Sequence, residues 1–169
     1  MKNKSLFAVI LVILVAMSGV QPAFAKDDIG SELANVRDAT MAYRSIPTAQ
    51  AAGYNFVPGL DVSFDNLGLA GASYRLINLS LIDTDVNPQK PEALLYTPDP
   101  YGMLDFVAVE YLVPMNAWDA AFPGKAPALF GQAFTKNTAL GVYLLRVWIW
   151  GPMSSGISNG SAPKISYIR

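Results

Sequence analysis

The chain has 169 residues, 52% hydrophobic and 15% charged, enough apolar side chain for one sizeable core and too little charge for disorder. Its formal charge is −1, which leaves no electrostatic footprint for nucleic acid or an anionic membrane. It holds no cysteine and no histidine, which excludes disulfides, Ser-His and Cys-His nucleophiles, histidine bases, and ordinary zinc, copper or haem ligation.

The first 25 residues read as an export signal. Lys2 and Lys4 form a positive start, Leu6 to Met17 is a short apolar run, and Ala23-Phe24-Ala25 is a small-x-small cleavage site. The mature chain is then expected to begin at Lys26 as a single α+β domain over 26–169, with no membrane span once the signal is removed. Its destination is secreted or extracytoplasmic, the periplasm or cell surface. Losing Lys2 and Lys4 leaves ten basic against thirteen acidic residues, a formal charge of −3.

A helix comes next. Leu33, Val36, Thr40 and Tyr43 recur at three- and four-residue spacing, Ser31 is the expected N-cap, Pro47 should end or kink the helix, Thr48 to Ala52 can then make one or two further turns, and Gly53 suits the C′ position. Tyr54 to Phe64 reads as short strands and turns, Ser73 to Leu81 as a strand or a strand entering a bend, and Ala93 to Thr97 as a short strand. Leu67 to Ala72 is too sparse in glycine for a phosphate loop and lacks its GK[ST] ending. Asp83-Thr84-Asp85-Val86-Asn87 opens like a calcium loop, but Pro88 and Leu94 stand where that loop needs glycine and glutamate, so it reads as a solvated turn. Asn116 to Pro127 is expected to be a loop whose Trp118 and Phe122 pack back onto the body. Ala128 to Phe134 suits a short turn, and Ile165 to Ile168 a final edge strand.

Two stretches organise the rest. Met103 to Val113 and Leu140 to Trp150 are rich in β-branched and aromatic residues on both faces, the pattern of strands inside a sheet. The first carries the central carboxylate Glu110, the second the single charge Arg146. Strict alternation places Glu110 with Leu104, Phe106, Ala108 and Leu112, and Arg146 with Leu144 and Trp148. A charge buried alone would cost several kcal/mol, so the two are expected to lie on neighbouring or facing strands as a direct ion pair. The pair either is structural only or lines a pocket that holds a polar ligand; the remaining alternative is that one of the two residues points outward.

Several motifs resemble a family of exported bacterial proteins with no assigned activity. They are Ala52-Gly53-Tyr54, Pro91-Glu92-Ala93-Leu94-Leu95-Tyr96, Phe106 to Pro114, Leu129-Phe130-Gly131 and Val147-Trp148-Ile149-Trp150. The resemblance implies histidines where this chain has Ser73, before Tyr74, and Arg146. It also implies cysteines near Asp61 and Tyr167. In such relatives the two histidines and the glutamate matching Glu110 could ligate a metal. Here that set and the disulfide are gone, and Arg146 would supply the positive charge beside Glu110.

The expected fold is α+β: one N-terminal helix packed on a twisted antiparallel sheet, open or closed into a small barrel or sandwich. The expected function is an exported, non-catalytic binding or envelope-associated protein, its partner a small ligand or envelope component. The candidate ligand-binding residues are Glu110, Arg146, Ser73, Tyr74 and Trp148; no catalytic residue, cofactor or metal is expected. The alternatives are a carboxylate-dependent hydrolase with Glu110 as acid or base, and a structural surface protein with sequons at Asn78 and Asn159.

Overall fold

The computed structural model describes residues 26–60, 62–63, 73–99, 101–150 and 156–158. The expected signal, Leu67 to Ala72, the sequon at Asn159 and the edge strand Ile165 to Ile168 lie outside them.

The chain opens with α1 (Lys26–Thr40), a 3-10 turn (Met41–Arg44) and α2 (Ile46–Ala51). Leu33, Val36 and Thr40 are buried and Tyr43 is half-buried, so the expected stripe faces the sheet. Buried Thr40 satisfies its hydroxyl by donating to the Val36 carbonyl at 2.7 Å, and there α1 tightens into the 3-10 turn. Two expectations are corrected. Ser31 lies inside α1 and is not its N-cap. Pro47 starts a helix instead of ending or kinking one, and the further turns expected from Thr48 are its continuation. It sits in the first turn of α2 behind the N-cap Ser45, where its missing N–H costs nothing. Gly53, at φ 96°, does close α2: its N–H donates to Gln50 O and that of Tyr54 to Ala49 O.

The strands follow as β1 (Asn55–Phe56), β2 (Val62–Ser63), β3 (Ser73–Ile77), β4 (Ala93–Pro98) and β5 (Leu104–Pro114). After α3 (Met115–Ala121) come β6 (Ala128–Leu129), β7 (Gln132–Ala133), β8 (Thr135–Asn137), β9 (Val142–Trp148) and β10 (Gly156–Ser158). The main sheet runs β1-β3-β4-β5-β9-β10, with β2 on β3 and β8 on β9, all antiparallel. The fold is therefore α+β, with β5 and β9 inside the sheet as their two apolar faces require. The sheet is open among the described residues, not a barrel. The small β6–β7 hairpin turns on Phe130 (φ 53°) and Gly131 (φ 70°), the two successive positive φ values that match strand twist. No described helix is long and apolar enough to cross a membrane.

One face of the sheet carries the main core. Leu33 and Val36 of α1 and Ala49 of α2 pack there against Leu76, Leu94, Tyr96, Val109, Tyr111 and Leu145. The buried tyrosines put their hydroxyls to use: Tyr54 donates to Pro91 O, Tyr96 to Tyr43 O and Tyr111 to Pro88 O, at 2.6–2.8 Å. The other face holds two smaller clusters, Leu95, Val107, Ala108 and Trp148, and Ile77, Ala93, Leu112 and Leu144.

A bulge in β5 decides which residues go where. Leu95 opposes Ala108 but Tyr96 opposes Phe106, so Val107 is an extra residue. The alternation reverses across it. Leu104 and Phe106 turn to the main core, while Ala108, Glu110 and Leu112 face the other way. The expectation that Leu104 and Phe106 share a face with Glu110 is thereby overturned. The expected loop from Asn116 is also corrected, because its first turns are α3. The prolines at 114 and 123 bracket that helix and none interrupts it. Trp118 packs on the core as expected, whereas Phe122 is 43% exposed and stacks on Trp118 at 4.3 Å.

The sequon at Asn78 is not at the surface. Asn78 is 7% exposed; its amide donates to Ala52 O at 3.1 Å and its carbonyl accepts from Ser80 N at 3.1 Å, capping the 3-10 turn Leu79–Leu81.

Candidate functional site

Glu110 and Arg146 stand directly opposite each other on β5 and β9. Arg146 Nε donates to Glu110 Oε1 at 2.9 Å, and its Nη2 donates to the same oxygen. The expected ion pair is present, on neighbouring strands and inside the protein. Glu110 is fully buried and Arg146 is 3% exposed.

Among the described residues, a second guanidinium joins the cluster. Arg75 on β3 reaches across β4, donating from Nε to Glu110 Oε2 at 2.6 Å and from Nη2 to Oε1 at 3.3 Å. Its Nη1 donates to Leu60 O at 3.2 Å. Ala93 on β4 lies opposite Glu110, and a side chain this small leaves room beside the carboxylate for a group from β3. Four guanidinium N–H groups thus converge on two carboxylate oxygens, an arrangement that the ionised carboxylate accepts best. Burial raises the Glu110 carboxyl above its ordinary value, and Arg75 offsets only part of that rise. Burial lowers Arg146 to about 10, so it keeps its proton at neutral pH.

Beside the two arginines is a cavity of about 290 Å³. Arg75, Arg146 and Leu144 form its floor; Thr135, Asn137, Thr138 and Ala139, from β8 and the turn to β9, form its rim. Lys136 borders it too, but its ammonium is turned toward Asp119 at 3.7 Å and lies 5.3 Å from the centre of the Tyr143 ring, which faces the main core. Glu110 does not line the cavity. It lies behind the arginines and sets their orientation.

The candidates therefore separate. Trp148 is buried beneath the cluster with its ring centre 5.9 Å from the Arg146 guanidinium carbon, and it does not reach the cavity. Ser73 shares the Arg75 face of β3 and is buried, and its hydroxyl has no hydrogen-bond partner among the described residues. Tyr74 alternates to the opposite face and is 38% exposed, so it is not part of the site. Arg75 was missed, yet it is the sole charge between Asp65 and Asp83, the criterion that singles out Arg146.

Among the described residues, Glu92 is a second deeply buried carboxyl. It is 3% exposed, and its Oε2 accepts from Leu112 N at 2.9 Å. No described group of three or more acids could hold a metal ion. Comparison of the chain with protein families, curated proteins and solved structures finds no match.

Proposed function

We propose that this is an exported, non-catalytic binding protein, secreted or held at the envelope, whose polar ligand occupies the cavity floored by Arg75 and Arg146. The observation that carries the reading is that cavity: two nearly buried guanidiniums, fixed from behind by one carboxylate, form its floor. A site held rigid before the ligand arrives costs little to order on binding. The hydrolase alternative would need Glu110 to exchange a proton with substrate. Its two oxygens are instead engaged by arginines, and it has no exposed surface. The purely structural alternative leaves the cavity without a role.

Export is supported by the composition of residues 1–25, and the motifs shared with the exported bacterial family point the same way. N-terminal sequencing of secreted material should begin at Lys26; an intact N-terminus in the membrane fraction would refute export by cleavage. For binding, a nitrogen-labelled sample should be screened by NMR against a mixed library of neutral and charged small molecules. Saturable shifts at the amides of residues 135–139 are expected. A library that leaves all five amides unmoved would overturn the pocket assignment.

A further inference from the structure

The chemistry of the ligand can be read from the Arg75 donors. A guanidinium carries five N–H groups and no acceptor. Three bonds from Arg75 are made, two to Glu110 and one to Leu60 O, which leaves two N–H groups without a partner among the described residues. The side chain is only 7% exposed, and it floors the cavity. Nearly dry donors of this kind are costly to leave unmet. Only a lone pair can meet them, and a charged oxygen does so about twice as strongly as a neutral one. No described carboxylate lines the cavity to repel an anion, and the rim offers a hydroxyl at Thr138 and an amide at Asn137, while the Thr135 hydroxyl donates to Leu144 O at 3.2 Å. No described aromatic ring lines it either, so a sugar face would find nothing to stack on.

Resting on the pocket reading above, we infer that the ligand presents an oxyanion, a carboxylate or a phosphate group, to the Arg75 guanidinium. The cavity volume of about 290 Å³ restricts it to a small molecule or the charged end of a larger one.

The test uses the purified protein at fixed ionic strength, titrated separately with inorganic phosphate, succinate and sorbitol. Amides 135–139 report the site, and calorimetry gives the affinity. Phosphate or succinate should bind saturably and sorbitol should not; which anion binds identifies the group. Arg75→Lys, which keeps the charge but loses the fork, should weaken binding at least tenfold. Thr138→Val, on the exposed rim and outside the ion cluster, should weaken it severalfold with no loss of stability. Sorbitol binding without either anion would overturn the oxyanion inference and leave the pocket reading standing. Silence toward all three probes would also overturn it, while the wider screen decides the pocket separately. Anion affinity unchanged in both variants would place the anion elsewhere and overturn the assignment to Arg75.

Discussion

Arg75 meets Glu110 from two strands away, and the buried cluster has a carboxylate with arginines on both sides. Removing one member strands the others in a dry environment, which typically costs about 3–5 kcal/mol. Glu110→Gln and Arg146→Met should each destabilise by that much in urea titrations. Replacing Arg75, Glu110 and Arg146 together by apolar residues of matched volume should cost far less, because none of these three charges is then left buried without the other two. Single substitutions that cost under about 1 kcal/mol would mean that water or other groups satisfy the arginines once the cluster is broken. The triple variant should fold and still fail to bind an anion, separating the role of these residues in stability from their role in recognition.

At the scale of the elements, β4 is the strand that permits the cluster. Ala93 is fully buried opposite Glu110. Ala93→Leu should cost about 1–3 kcal/mol by overpacking, and by pushing Arg75 aside it should weaken the site more than a helix-face change of equal cost, such as Val109→Ala. Paired denaturation and binding curves check this. The central strands were legible because Leu104–Pro114 and Val142–Trp148 are apolar on both faces, and the Glu110–Arg146 pair was legible because mid-strand charges need partners. Arg75 was missed because one carboxylate and one guanidinium already appeared to balance, and a shorter strand hid the third charge. The Val107 bulge leaves no local mark in a run of β-formers. It depends on how β4 and β5 fit together, so the face of Leu104 and Phe106 could not be read. At Met115–Ala121 the prolines drew attention from a helix-tolerant run lying between them.

For the whole molecule, pH acts through Glu92. Its carbonyl accepts from Asn78 N at 2.9 Å and its carboxyl accepts from Leu112 N, so it ties the long β3–β4 connection to β5. Burial pushes its carboxyl from the ordinary 4.5 up to about 8, with Asp83 and Asp85 adding to the rise and the Leu112 N–H opposing it. The folded state therefore holds a proton that the unfolded chain releases near 4.5. The associated stability is complete below that pH and is lost as pH climbs toward about 8. Across this window stability should fall with pH, at no more than about 1.4 kcal/mol per unit from this group. Glu92→Gln should flatten that slope in denaturant melts at pH 5, 6, 7 and 8. An unchanged slope would assign the titration to other groups.

Asn78 has a consequence of a different kind. In a host that attaches glycans to chains as they emerge, the Asn78-Leu79-Ser80 sequon would be accessible before folding and hidden afterwards. A sugar attached in that interval would occupy the amide nitrogen that donates to Ala52 O, and the packing beside Gly53 has no room for it: a single added carbon there would lie 3.0 Å from Asn78 Nδ2. Enzyme and folding would compete for one nitrogen. Production in such a host should yield two populations, an unmodified folded protein and a glycosylated one retained by quality control, with the ratio set by how fast α2 docks against the sheet.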